Sequence, residues 1–255
     1  MATALITGGT SGIGAAFARA LAARGDDLVL VARNADRLSE MATELKERYA
    51  VSVETIAADL AVRDEVVGIA ERLASVEQPI DLLVNNAGFG IRAKLTAADT
   101  TPHEHAIDVM IRAVLILSAA AGRAMRQRGA GTIINVSSTA GFVAMGSYSA
   151  IKSWVTSYTE GLANELHDTG VRAVALCPGW VRTELHERAD INISSIPPFL
   201  WLDADRLVAD CLEDAAAGKV ISIPSKRFKA LMVICKHLPD RTVRAVSRKL
   251  TSGRH

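Results

Sequence analysis

Seven short apolar runs punctuate this chain, and longer helix-like stretches separate them. The runs are 3–7, 27–33, 51–59, 80–86, 132–138, 172–178 and 219–224. Several do not alternate: Leu28-Val29-Leu30-Val31 is apolar at every position. A strand that reads this way is buried on both faces, the condition of a parallel sheet covered by helices. The helix-like stretches are 15–24, 36–49, 64–76, 105–128, 148–167 and 203–217. This order predicts an α/β fold, a doubly wound parallel sheet of about seven strands in three αβα layers with right-handed crossovers. At 255 residues, such a chain buries a sizeable core without disulfide or metal staples.

The first run ends in Thr7-Gly8-Gly9-Thr10-Ser11-Gly12-Ile13-Gly14 and passes into a helix. Ligands of open α/β sheets bind beyond the carboxyl ends of the strands. A glycine turn there lets backbone N–H groups approach a pyrophosphate, and the helix N-terminus adds a favourable dipole. The candidate contacts are Gly8, Thr10, Ser11, Gly12, Ile13 and Gly14. The second run ends Ala32-Arg33, with no carboxylate at its tip. An acidic residue there would accept from a free ribose 2′-hydroxyl, whereas an arginine accommodates a 2′-phosphate. Arg33 therefore favours NADP(H) over NAD(H). The third run closes with Asp59-Leu60, where a carboxylate can accept from an adenine amino group. The fourth closes with Asn85-Asn86-Ala87-Gly88, small and amide residues able to line a cofactor. Either pair can equally cap a helix or hold a turn.

Tyr148 and Lys152 stand four residues apart at the start of a predicted helix and so share one face. A free phenol is too weak an acid for proton transfer near neutral pH, and a neighbouring ammonium lowers its pKa. Ser138, ten residues before the tyrosine, ends the fifth run. Its hydroxyl can hold a carbonyl oxygen beside the phenol. Tyr-x-x-x-Lys alone is a weak signal; after a nucleotide turn and a strand-tip serine it is a strong one.

Taken together, these motifs resemble the short-chain dehydrogenase/reductase family of the classical type. The matching residues are Thr7-Gly8-x-x-x-Gly12-x-Gly14, Asp59, Asn85-Asn86-Ala87-Gly88, Ser138, Tyr148-x-x-x-Lys152 and Pro178-Gly179-Trp180-Val181-Arg182-Thr183, in the family's order over residues 3 to about 225. The resemblance implies a Rossmann-like sheet and hydride transfer between NAD(P)H and a carbonyl/alcohol pair. It implies Tyr148 as acid/base, Ser138 as the group that orients the carbonyl, and Lys152 as the ribose-binding residue that tunes the tyrosine. It also implies that Pro178, Gly179, Val181 and Thr183 hold the nicotinamide carboxamide. Ser138 is preferred to Ser137 because x-x-Gly follows it, as in Thr139-Ala140-Gly141.

Two departures from the family pattern stand out. Met110 occupies the place of an asparagine that supports a proton-relay water beside the lysine, and a thioether neither donates nor accepts usefully. The stretch from Ser138 to Tyr148 is also about three residues shorter than is usual. The alternative reading is therefore a cofactor-binding sensor or scaffold with weak turnover. Intact Ser138, Tyr148 and Lys152 argue for an enzyme.

Residues 185–202 form the segment that covers the substrate in this family, and they include Ile191, Ile193, Ile196, Phe199, Leu200, Trp201 and Leu202. They suit a small hydrophobic ketone or secondary alcohol, such as a lipid-derived 3-oxoacyl group or a steroid. They are equally suited to packing on the core or on a partner subunit. The formal net charge of +1 hides a division. Residues 1–225 carry 20 Lys/Arg against 27 Asp/Glu, a net of −7; residues 226–255 carry 9 against Asp240 alone, a net of +8. We divide the chain accordingly into a catalytic domain, 1–225, and a basic C-terminal extension, 226–255, packed on it or peripheral to it. Three roles stay open for that extension: a helix finishing the fold, peripheral contact with an anionic membrane surface, and guidance of an acyl-carrier or coenzyme A substrate.

The balanced total charge gives no reason to expect nucleic acid. Cys177, Cys211 and Cys235 lie far apart, and no CxxC or Cys/His cluster predicts a metal site. The apolar stretch 114–121 is too short to span a bilayer. Met1 runs at once into a strand-like segment, so no leader is expected and the expected compartment is cytoplasmic. The scattered histidines, including His103, His105, His167 and His186, read as surface residues. Helices 105–128 and 148–167 are where the family commonly pairs subunits, so a homodimer or homotetramer is expected.

Overall fold

The computed structural model describes residues 2–181, 201–225, 227–230 and 232. Seven strands form one sheet: β1 (Thr3–Thr7), β2 (Asp27–Ala32), β3 (Val53–Ala57), β4 (Leu82–Asn85), β5 (Gly131–Val136), β6 (Val171–Leu176) and β9 (Ile221–Ser222). Their order is β3-β2-β1-β4-β5-β6-β9, and every pairing is parallel. A separate parallel pair, β7 (Trp180–Val181) and β8 (Trp201–Leu202), joins the two ends that flank residues 182–200.

Both faces of the sheet are covered, as the apolar runs require. On one face Ile6, Leu28, Leu30, Val84 and Ile134 pack with Phe17 and Leu21 of α1 (Gly12–Ala23), Leu38 and Leu45 of α2 (Ala35–Tyr49), and Leu207 and Cys211 of α7 (Ala204–Ala216). On the other, Leu5, Val29, Val31, Leu83 and Ile133 pack with Val66 and Ile69 of α3 (Arg63–Leu73), Leu117 and Ala121 of α5 (Ala113–Arg128), and Ile151 of α6 (Ser147–Glu165). Alternate residues of each strand thus serve opposite cores. The helix starts are chemically specified: the Asn34 side chain accepts from the Arg37 amide at 2.9 Å, and Asp203 accepts from the Arg206 amide at 2.9 Å.

The sequence predicts one helix over 105–128. The structure starts it earlier, with α4 (Thr101–Ile107), and then inserts a π-helical turn over Asp108–Arg112 before α5. The composite helix, Thr101–Arg128, is long and apolar enough to cross a membrane by length and composition, beyond what stretch 114–121 suggests. However, 56% of its most apolar window is buried inside the domain, where it packs on the sheet, while Ile107 and Leu115 stay exposed.

Beneath the strand tips lies a buried polar network. The Asn85 amide donates to Asn135 Oδ1 at 2.9 Å and to Ser118 Oγ at 3.0 Å, and Ser118 donates to Asn135 Oδ1 at 3.2 Å. The Asn135 amide donates to Thr159 Oγ1 at 3.0 Å. This network fixes β4, β5, α5 and α6 relative to one another, because a slip would leave buried polar atoms unpaired.

Candidate active site

Because the strands are all parallel, the tips of β1 to β6 open on one edge of the sheet. The order reverses at β1, with β2 on one side and β4 on the other, and that crevice is where open α/β sheets bind ligands. The glycine turn lies in it. Gly8 and Gly12 have φ of +67° and +53°, a backbone region unfavourable to side chains. A Cβ on Gly14 would stand 2.1 Å from the Gly8 carbonyl oxygen. Asn86 locks the turn: its amide donates to the carbonyls of Thr7 at 3.0 Å and Gly8 at 3.2 Å. Thr7 Oγ1 in return accepts from the backbone amides of Asn86 at 3.0 Å and Ala87 at 3.1 Å.

At the start of α1, Ser11 occupies the N-cap position, and its side chain makes no capping hydrogen bond. No acidic side chain stands in the first turn. The cradle is therefore uncluttered, free of carboxylates and lined by backbone donors, and it fits an anionic phosphate group. Arg33 is exposed at the tip of β2. Asp59 is half-buried, and Oδ1 of its carboxylate accepts from the Ala61 amide at 2.9 Å, holding the turn. Leu60 is buried beside it.

On the other side of the crevice, β5 delivers Ser137 and Ser138. Ser137 is turned into the core, where its hydroxyl donates to the Lys152 carbonyl at 2.7 Å and lies 2.7 Å from Thr156 Oγ1. Ser138 stands at the tip of β5; its hydroxyl accepts from the Ala140 amide at 3.1 Å and is close enough to the Tyr148 phenol to act on its pKa. The turn Thr139–Phe142 presses on α6, so that a Cβ on Gly141 would come within 2.9 Å of Lys152 backbone. Burial raises the Tyr148 pKa above that of a free phenol, and the Ser138 hydrogen bond works in the opposite direction.

Lys152 lies one turn further along α6, 4% exposed. Its ammonium donates to the Val136 carbonyl at 2.7 Å and lies 5.7 Å from the Tyr148 ring centroid. Burial brings its pKa down to about 8. Met110, from the π-helical turn, completes this corner: a Cβ on Gly88 would be 3.1 Å from Met110 Sδ and 3.7 Å from Lys152 Nζ.

The tip of β6 supplies Pro178 and Gly179. The Pro178 carbonyl accepts from the Thr139 amide at 2.9 Å and from Thr139 Oγ1 at 3.2 Å, tying this loop to the serine loop. Val181 is buried. Thr183 and residues Ile191, Ile193, Ile196, Phe199 and Leu200 lie outside the described residues. Trp201 is described, and its ring lies 6.3 Å from that of Trp180. No metal-binding group of three or more His, Cys, Asp or Glu occurs among the described residues.

Two histidines depart from their expected surface role. His103 is half-buried and bridges elements, with Nδ1 2.8 Å from Ser147 Oγ and Nε2 3.1 Å from the Lys94 carbonyl. His105 stacks on Phe89 at 5.1 Å. Both tie the 89–100 loop to the helices beside Tyr148. Sequence spacing gives no sign of either contact.

The class that fold and site define is a Rossmann-like nucleotide-dependent oxidoreductase, and comparison with known proteins agrees. A family model described as short chain dehydrogenase matches residues 2–193. An uncharacterized oxidoreductase of Staphylococcus saprophyticus is 37% identical over 190 residues, 73% of this chain and 81% of that protein. A short-chain dehydrogenase from Sphingobium yanoikuyae, solved in complex with NADPH, superposes with a TM-score of 0.84 at 32% identity, covering 94% of this chain and 96% of its own. The bulky-bulky ketone specific alcohol dehydrogenase from Comamonas testosteroni superposes with a TM-score of 0.79 at 29% identity, covering 94% and 95%. The chain belongs to the short-chain dehydrogenase family and is an oxidoreductase of it.

Proposed function

We propose that this protein is an NADP(H)-dependent oxidoreductase interconverting a small hydrophobic ketone and its secondary alcohol. The observation that carries the reading is the meeting of the Ser138 hydroxyl, the Tyr148 phenol and the buried Lys152 ammonium beside an uncluttered glycine turn. Gly8, Thr10, Ser11, Gly12, Ile13 and Gly14 would hold the pyrophosphate, and Arg33 the 2′-phosphate. Asp59 and Leu60 would border the adenine; Asn86, Ala87 and Gly88 would line the middle of the cofactor. Pro178, Gly179, Val181 and Thr183 would hold the carboxamide end. A bound reduced nicotinamide supplies hydride to the carbonyl carbon.

The chain supplies the proton and the positioning. Ser138 holds the carbonyl oxygen against Tyr148. The phenol is protonated at neutral pH, as an ordinary phenol is, and serves as the acid in reduction; burial raises its pKa rather than lowering it as the Lys152 spacing suggests, so the help of the ammonium lies in stabilising the phenolate as the proton leaves. Its proton passes to the carbonyl oxygen as the C–H bond forms; in the oxidative direction the phenolate takes that proton back. Lys152 stabilises the phenolate and binds ribose hydroxyls. Arg33 and the NADPH held by the Sphingobium relative support NADP(H) over NAD(H). Ile107 and Leu115, each 44% exposed on α4 and α5, support pairing into a homodimer or homotetramer. The cytoplasmic placement, the 1–225 and 226–255 division and membrane contact through the tail belong to the same reading.

The test follows NADPH oxidation across bulky ketones and 3-oxoacyl thioesters. Tyr148→Phe should lower kcat at least about a hundredfold. Equal turnover in the Phe variant sinks the mechanism. The weak-turnover alternative, which rests on Met110, expects NADPH binding with no oxidation on any ketone tried.

A further inference from the structure

The Pro178–Gly179 loop has a neighbour from an unexpected part of the chain. Ser225 starts a helical turn beyond β9: its carbonyl accepts from the Lys229 amide at 2.8 Å, and its hydroxyl from the Phe228 amide at 3.4 Å. That turn presents Phe228, which is 5% exposed, and Met232, which is 7% exposed. The distal edge of the Phe228 ring abuts Gly179: a Cβ there would stand 2.2 to 2.6 Å from three ring carbons, Cζ, Cε2 and Cε1. Glycine at 179 is therefore what lets the ring approach the backbone of this loop. Lys229 of the same turn brings a positive charge toward Asp214. Burial acts to raise the Asp214 pKa, but hydrogen bonds from Lys219 and Ser222 and the charges of Lys219 and Lys229 hold it below the ordinary carboxylate value.

We propose that Phe228 is a positioning residue of the active site, fixing the Pro178–Gly179 backbone and, through the Pro178 carbonyl, the Thr139 end of the serine loop. This rests on the assignment of that loop to the nicotinamide end of the cofactor. The chain of contacts is short: ring on Gly179, Pro178 carbonyl bonded to the Thr139 amide and hydroxyl, Thr139 next to Ser138. A buried ring wedged against backbone holds it because it makes many dispersion contacts at once, and removing it leaves a void the loop can enter. The extension begins as a charge-rich appendage in composition, yet its first apolar residue seats against the site.

The experiment measures binding to the full-length protein, wild type against Phe228→Leu and Phe228→Ala, with three readouts. The first is the Kd for NADPH. The second is the Kd for adenosine 2′,5′-bisphosphate, which engages only the adenine end. The third is amide exchange, without cofactor, of the peptide containing Thr139 against one from β1. Phe228→Leu should weaken NADPH at least about tenfold, leave the bisphosphate within about twofold and speed exchange at Thr139 alone. Phe228→Tyr, keeping the ring, should restore wild-type values; the Leu and Tyr variants keep the test sound if the Ala variant does not fold. Unchanged NADPH affinity with normal wild-type binding overturns the proposal and leaves the oxidoreductase reading standing. Equal weakening of both ligands, or exchange that rises everywhere, also overturns it, because the ring then acts only on global stability. Failure of the wild type to bind NADPH overturns the cofactor assignment and the proposal with it.

Discussion

Lys152 offers the sharpest quantitative check, because its buried ammonium must leave a signature in stability. The side chain is 4% exposed, and its charge faces a backbone carbonyl, that of Val136. Burial brings its pKa from the ordinary 10.5 down to about 8. In water the unfolded chain keeps the ordinary value. Between about pH 8 and pH 10.5 the unfolded protein therefore holds a proton that the folded protein has released. Stability rises with pH wherever the unfolded state binds more protons. The cost of the buried charge is thus fully present below pH 8 and is gone above 10.5. The fall from 10.5 to about 8 corresponds to about 3 kcal/mol.

The comparison is with Lys152→Met, which cannot titrate. Urea unfolding of both proteins, without cofactor, gives the difference in ΔG across this range. Wild type should gain about 3 kcal/mol on the variant between about pH 7 and pH 10.5. The window is favourable: burial raises the Tyr148 pKa above 10 and pushes the Cys177 thiol up to about 11, so both neighbours titrate mainly beyond it. A difference that stays flat, or that moves against the wild type, would refute the account of a desolvated ammonium. The same value leaves about nine molecules in ten charged at pH 7, as the proposed role of Lys152 requires.

Gly14→Ala should destabilise by about 2–4 kcal/mol in chemical unfolding and abolish NADPH binding, since the new Cβ meets the Gly8 carbonyl at 2.1 Å and Asn86 Nδ2 at 2.5 Å. If Arg33, exposed at the tip of β2, takes the 2′-phosphate as proposed, Arg33→Ala should weaken NADPH about tenfold in fluorescence titration and leave NADH unchanged. Asn135→Ala should cost about 2–4 kcal/mol by leaving Asn85, Ser118 and Thr159 without their buried partner, read as a lowered urea midpoint.

The parts legible in the sequence are those whose cause is local. Leu28 to Val31 read as a doubly buried strand because each side chain reports its own face. The glycine turn reads because Gly8, Gly12 and Gly14 are close in sequence, and their conformations depend on little else. The π-helical turn at Asp108–Arg112 does not read, because one extra residue per turn barely disturbs an apolar pattern. The expected strand over 219–224 shrinks to Ile221–Ser222. Lys219 is drawn aside to Asp214, and the Ser225 amide bends the chain back to the Ile223 carbonyl. Asn135 sits among isoleucines and valine like any core residue, and its role appears only with Asn85, fifty positions away, in view. His103 is hidden for the same reason, as Ser147 lies 44 residues on.

The charge division between 1–225 and 226–255 is a pattern of surfaces, and packing follows a different rule. Lys and Arg report where water is; they carry no information about which apolar side chains between them turn inward. Phe228 stands between Arg227 and Lys229, both exposed, and it is buried. Its partner is Gly179, which the sequence assigns, by resemblance, only to the loop that holds the carboxamide. The pair gives each residue its reason: the glycine makes room for a ring, and the ring fills the space over the loop. Exchanging the sizes tests that complementarity. Gly179→Ala alone should destabilise, and Phe228→Leu added to it should recover part of the loss, a coupling that independent sites would not show.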